Sequence, residues 1–327
     1  MATPTIVGAK EMLTYLGAKP GIEGNAADRV VLTDLREEAV VYINGTPFVL
    51  RELNKPVDAL KHVGITGSLV EHMEARLKED IISEIKQSGG RMLLHREEYN
   101  PTLNQVSIVG YWENIFIDDV KTPTELYASL KKEGYNITYQ RIPLTREREA
   151  LASDVDAIQY RKDDSAGSYL FVSHTGFGGI AYAMAIICLR LDAEAKIASD
   201  VTRSLVDEET SKMGYYRDIL SLTRVLVHGP ESKLDVDNVI ERCAGAGHLR
   251  EDIIYFTKEL KKFPNDEDDE HRAYLMDMGI RALRRYFYLI TFRSYLYCTS
   301  ASEMKFTEWM DARPELGHLC NNLRIDT

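Results

Sequence analysis

The arrangement in this chain best suited to chemistry lies in residues 168–187, SYLFVSHTGFGGIAYAMAII. A β-type apolar run leads into a glycine-punctuated turn and then a strongly apolar helix. That is the layout of a loop whose backbone amides and helix N-terminus cradle a phosphate. The turn reads Ser173-His174-Thr175-Gly176-Phe177-Gly178-Gly179. A serine hydroxyl is not ionised at neutral pH, so Ser173 attacks only with an adjacent base to take its proton. His174 is the nearby candidate. Neighbouring positions in a tight loop point apart, however, and His174 reads more simply as a loop residue bonded to backbone. Loop amides and a helix dipole remain, enough to hold an anion weakly.

The elements around this loop are marked in the sequence. A short amphipathic helix is expected near 8–17 and a short strand at Arg29-Val30-Val31-Leu32. Residues 39–50 (AVVYINGTPFVL) hold two β-rich runs around Asn44-Gly45, a hairpin with a two-residue turn, since both turn residues tolerate positive φ. Ser68 and Glu71 stand in capping-box spacing. They open a helix to Lys86 with Val70, Met73, Leu77, Ile81 and Ile85 on one stripe, closed by Gly89-Gly90. Arg91–Arg96 reads as a buried strand. Thr122, Pro123 and Glu125 open a second helix that Gly134 ends, and the strand Tyr135–Ile142 follows until Pro143 stops it. Strand, helix, strand, loop and helix in this order give an α/β layered fold, helices covering a mostly parallel sheet.

After about residue 192 the β signals fade. Helical segments follow, broken by His228-Gly229-Pro230, by Gly245 and Gly247, and by the acidic run Asp266–Glu270, which reads as a solvated loop. We therefore expect an α/β core over 1–192 and a helical portion over 193–327 packed on it as one globular unit. Residues 282–298 (ALRRYFYLITFRSYLYC) are interrupted by Arg284, Arg285 and Arg293, too charged and too short to span a bilayer. Tyr286, Phe287, Tyr295 and Tyr297 read as core aromatics rather than a ligand box.

Composition narrows the function. The chain has 327 residues, 44% of them hydrophobic, enough to bury a sizeable core. Its 40 basic and 51 acidic residues give a net charge of −11, which argues against nucleic acid or an anionic membrane as partner. Cys188, Cys243, Cys298 and Cys320 are dispersed without a Cys-x-x-Cys pair, and no basic-then-apolar leader opens the sequence, so a reducing cytoplasm is expected. Neither a metal-ligand pattern nor a cofactor motif is apparent, and none is expected.

Four stretches carry a resemblance: LREEAVVYINGTPFVLRE (35–52), VEHMEARLKEDI (70–81), GYNITYQRIPLT (134–145) and FVSHTGFGGIAYAM (171–184). Together they resemble one repeat of the paladin type, built from tandem domains similar to protein tyrosine phosphatases and to phosphatase-like phytases. The resemblance spans roughly residues 1–190, with the helical remainder as the rest of the same unit. It implies a cysteine-phosphatase-like fold and a loop of the form Cys-x-x-Gly-x-Gly-Arg. Such a loop needs a thiolate, an arginine fork on two phosphoryl oxygens, and a carboxylic acid to protonate the leaving oxygen.

Against that pattern the cysteine position holds Ser173 and the arginine position holds Gly179. Arg146 follows Thr145 where the acid would stand, with Asp154 or Asp156 as possible substitutes. The resemblance thus implies a degenerate, inactive unit, one that serves a protein partner or upstream repeats of the same polypeptide, or holds a phosphorylated ligand. It also implies that the chain is the end of a longer protein or a truncated gene product. Two other readings stay open: an active phosphatase on phosphoprotein or inositol phosphate with Ser173 or a residue outside the loop as nucleophile, and binding of inositol phosphates or phosphoinositides by loop amides helped by basic residues such as Arg141, Arg146 or Arg148.

Overall fold

A computed structural model of the protein describes residues 1–20, 28–52, 62–102, 104–159, 167–176, 178–195, 216–262, 269–298 and 304–325. The chain divides into two units, Met1–Pro143 with Asp163–Thr175, and Leu144–Lys162 with Gly176–Thr327. Residue 192, where the β signals fade, lies inside the second unit.

The first unit is built on a parallel sheet. Strand β1 (Val30–Asp34) lies between β7 (Ile137–Arg141) and β8 (Ser168–Val172), both parallel to it. In that register Asp34 stands level with Arg141 on one side and Val172 on the other, so all three strands end together. The carboxyl end of a parallel sheet is where α/β proteins place their ligands, and Ser173 is the next residue after this edge.

Helices α1 (Ile6–Tyr15) and α3 (Pro123–Lys132) supply the core beside the sheet. Ala9 and Leu13 from α1 and Leu126 and Leu130 from α3 join Val30, Leu32, Ile137 and Val172, all buried. Tyr127 stacks on Tyr139 with centroids 4.9 Å apart. The start of α3 follows the sequence closely: Thr122 accepts from the Glu125 amide, and the Glu125 carboxylate accepts from the Thr122 amide.

Antiparallel strands complete this unit. The expected hairpin is present as β2 (Val40–Ile43) and β3 (Thr46–Val49), with Asn44 and Gly45 at φ 50° and 81°. Strand β6 (Val120–Lys121) adds to the free side of β2. Helix α2 (Gly67–Gln87) buries Val70, Ile81 and Ile85 as expected, and also Glu74.

Two local readings fail here. The Ser68–Glu71 capping box does not form; Thr66 is the cap residue, with no side-chain cap bond, and Ser68 sits inside the first turn. A Cβ on Gly67 would stand 2.6 Å from the Arg141 carbonyl oxygen, so close approach to that strand end sets where the helix begins. Arg91–Arg96 is not a buried strand. It belongs to β4 (Arg91–Asn100), which pairs with β5 (Gln105–Asn114) as a two-stranded ribbon in which Leu94 alone is buried. A ribbon without further strands presses one face on the core, and the Met92-Leu93-Leu94 run conceals that one-sidedness.

The second unit, among the described residues, is helical: α4 (Ala152–Gln159), α5 (Gly179–Glu194), α6 (Arg217–Val225), α7 (Gly229–Arg242), α8 (Leu249–Lys262), α9 (Asp269–Cys298), α10 (Phe306–Asp311) and α11 (Pro314–Asn321). Pro230 stands in the first turn of α7, where its missing N–H costs nothing. Within α9, Tyr286, Phe287 and Tyr295 are fully buried, as core aromatics are, whereas Tyr297 is exposed and donates its hydroxyl to Asp235 at 2.7 Å. Of the acidic run, Asp266–Asp268 lie outside the described residues, whereas Glu270 stands in the first turn of α9, where the helix dipole favours negative charge. No helix among the described residues is long and apolar enough to cross a membrane.

Candidate functional site

The unit boundary falls within the glycine loop, after Thr175, and each half is held by its own unit. In the first half, β8 delivers Ser173 to a buried position, 8% exposed. The Ser173 N–H donates to the Met1 carbonyl at 3.0 Å, and Ala2 bridges both Ser173 and Thr175. The first residues of the chain thus lie as an extended piece along the start of the loop.

His174 meets the charged run that follows β1. Its Nδ1 lies 3.2 Å from Arg36 Nη2 and 4.0 Å from Glu38 Oε1. A guanidinium can only donate, so in this contact Nδ1 is the acceptor. Arg36 also donates through Nη1 to Thr3 Oγ1 at 2.5 Å and pairs with Glu38 at 3.5 Å. Arg36, Glu37 and Glu38 are all buried, a feature the sequence displays as a charged run directly after a strand.

In the second half, Gly176 and Gly178 take φ 83° and 78°, the left-handed values that the turn needs and that β-carbons disfavour. Phe177 lies outside the described residues. Gly179 begins α5, and a Cβ placed on it would overlap the carbonyl oxygen of Leu144. The position that the phosphatase pattern gives to arginine therefore has no room for any side chain.

Leu144 is held there by its continuation. Arg285 Nη2, from α9, donates to the carbonyls of Thr145, Arg146 and Arg148 at 2.7, 3.1 and 2.7 Å. Burial pulls the Arg285 guanidinium below its ordinary pKa, the cost of placing a charge among carbonyls instead of water. Arg146 pairs with Asp252 at 2.8 Å and lies over the Phe256 ring at 5.1 Å. The segment expected to carry a general acid is a backbone strap tied down by an arginine. In the sequence Arg285 is a charge interrupting an apolar helix, and no local signal marks this role.

Neither substitute acid is spare. Asp154 pairs with Arg148 at 2.9 Å and accepts from the Leu151 amide at 2.8 Å; burial raises its pKa, with Arg148 opposing. Asp156 accepts the amides of Phe306 and Thr307 at 2.8 and 2.9 Å, satisfying the first turn of α10. The arginines weighed as ligand holders are likewise engaged, Arg146 and Arg148 as above. Arg141 is buried between Asp34, at 3.3 Å, and Glu74. Burial pushes the Glu74 carboxyl up to about 7, with Arg141 opposing.

Residues 33–191 match the family model of the protein-tyrosine-phosphatase-like phytases, described as inositol hexakisphosphate. The match covers 159 of the chain's 327 residues. The fold agrees: a tyrosine-phosphatase-like myo-inositol phosphatase from Mitsuokella multacida, solved with myo-inositol-(1,3,4,5)-tetrakisphosphate, aligns over 96% of this chain and 40% of its own, with TM-score 0.53 at 17% identity. A tandemly repeated phosphatase-like phytase from the same organism aligns with the same score and coverage at 16% identity.

The chain is also similar to vertebrate paladins. It is 23% identical to zebrafish (Danio rerio) paladin over 95% of its length, and 25% identical to chicken (Gallus gallus) paladin over 86%. It spans about a third of those relatives, 35% and 32% of their lengths.

Proposed function

We propose that this paladin-like chain is a non-catalytic phosphatase-like domain in which Ser173, Gly179 and Arg146 stand at three lost catalytic positions. The observation that carries this reading is the Leu144 carbonyl lying against Gly179, which makes the missing arginine a matter of backbone packing rather than of one exchanged side chain. Charge-assisted hydrogen bonds contribute roughly 1.5–3 kcal/mol each, so losing a bidentate pair weakens phosphate binding by about two to four powers of ten. Loss of the thiolate removes the covalent route altogether, and a missing general acid removes a further ~10²–10⁴-fold.

The retained turn, with Gly176 and Gly178 in left-handed conformation, supports a scaffold role. In that role the domain serves a protein partner or neighbouring repeats of a longer polypeptide, or holds a phosphorylated ligand, in the cytoplasm.

The decisive measurement is phosphate release from inositol hexakisphosphate and from phosphotyrosine peptides, with Ser173→Ala as control. Equal background from both proteins is expected; turnover by the wild type above that control overturns the proposal. Calorimetry with inositol hexakisphosphate at two salt concentrations separates the remaining roles. Salt-sensitive heat indicates a phospho-ligand, and its absence leaves the scaffold role.

A further inference from the structure

The α5–α7 seam brings together two cysteines that the phosphatase resemblance does not use. Ala181 and Ala185 of α5 face Ile240 and Cys243 of α7 across a small apolar gap. One turn on, Cys188 meets Cys243, and the two thiols hydrogen-bond to each other. A salt bridge brackets the contact: Arg242, next to Cys243, donates through Nη1 to Asp192 at 3.3 Å, and Asp192 lies four residues after Cys188 on α5. Cys188 is half-buried, whereas Cys243 is 3% exposed. All four cysteines are free thiols.

We propose that Cys188 and Cys243 form a peroxide-sensitive dithiol that closes to an intramolecular disulfide linking α5 to α7. The two thiols are differentiated for this task. The hydrogen bond from Cys243 stabilises the Cys188 thiolate and brings it down to about 7; Arg242 adds to the effect, and burial and Asp192 oppose it. The same bond holds the proton on Cys243, whose pKa goes up. A thiolate exposed to a small oxidant, with a second thiol in contact, is the arrangement of a redox sensor.

The chemistry balances with hydrogen peroxide as oxidant. The Cys188 thiolate attacks one peroxide oxygen; an S–O bond forms, the O–O bond breaks, and hydroxide leaves. Cys243 sulfur then attacks the Cys188 sulfenic sulfur. An S–S bond forms, the S–O bond breaks, and the departing hydroxide takes the Cys243 proton as water. Two thiols and one peroxide become one disulfide and two waters, and an external thiol reverses the change.

Peroxide treatment, maleimide blocking under denaturing conditions and peptide mass mapping test this. Two of the four thiols should disappear. The peptides holding Cys188 and Cys243 should be linked, Cys298 and Cys320 should stay alkylated, and dithiothreitol should restore all. Cys243→Ser should leave a sulfenic acid on Cys188 that dimedone traps. A linkage through Cys298 or Cys320, or wild-type Cys188 stopping as a sulfinic acid while Cys243 stays alkylated, overturns the proposal.

A substitution in a packed seam can cost the fold, so the wild type supplies a second check. Its Cys188 should react with iodoacetamide with a midpoint below the ordinary thiol value. A midpoint at the ordinary thiol value of ~8.5 also overturns it.

Discussion

The carbonyl oxygen of Leu144 fills the space into which a side chain at Gly179 would have to grow. The two residues are far apart in sequence, and their contact joins the strap after β7 to the first residue of α5. It turns an apparent substitution in a phosphate loop into a structural requirement for glycine.

Gly179→Ala should therefore destabilise the protein by about 1–3 kcal/mol, the usual cost of overpacking, read as a shift of the urea midpoint. Gly179→Arg should cost at least as much and gain no phosphate affinity. Ser173→Cys alone should not create phosphatase activity, because the fork and the acid are still missing. A Gly179→Ala protein as stable as the wild type would show that the strap yields easily.

Removing Arg285 should loosen that strap. Arg285→Met keeps most of the volume but removes the hydrogen bonds from Nη2 to the carbonyls of Thr145, Arg146 and Arg148. A buried group left unsatisfied costs about 1–3 kcal/mol, so the expected loss is several kcal/mol, with early proteolysis within 144–150. Arg285→Lys should rescue only in part, since the shorter side chain does not carry its ammonium to the place of Nη2. Full rescue by lysine would argue against the three-carbonyl contact.

The pair Arg141–Glu74 predicts a pH dependence. Burial holds the Glu74 carboxyl near 7 in the folded chain against an ordinary value of 4.5. The folded state therefore binds the proton more tightly than the unfolded state. Its contribution is fully present below the ordinary value and is lost as pH rises through about 7. Stability should fall by about 1–3 kcal/mol between pH 5 and 8, and Glu74→Gln should flatten that slope. Arg141→Ala, which leaves Asp34 and Glu74 buried without their cation, should cost about 3–5 kcal/mol.

Asp156 should behave as a helix cap and not as an acid. Asp156→Ala is expected to cost about 0.5–2 kcal/mol and to speed hydrogen exchange at the amides of Phe306 and Thr307. Unchanged exchange at those amides would remove the cap from the account.

Much of the fold is local and was legible in the sequence. Asn44-Gly45 sets a two-residue turn because both residues accept positive φ, and Thr122-Pro123-x-Glu125 satisfies its own helix start, so neither depends on distant partners. The strand, glycine turn and helix around Ser173 are local in the same way.

What escaped depends on approach between residues distant in the chain. Ser68 and Glu71 have capping-box spacing, yet the packing of Gly67 on the Arg141 carbonyl starts the helix elsewhere. Asp154, Asp156 and Arg146 look free in the sequence, and only tertiary contacts give them Arg148, the start of α10 and Asp252 as partners. Local signals determine which residues turn, cap or extend, because those preferences are paid within a few bonds. Which polar groups remain available for chemistry is decided by the folded chain, since burial forces each buried charge or carbonyl to find a partner wherever the packing brings one.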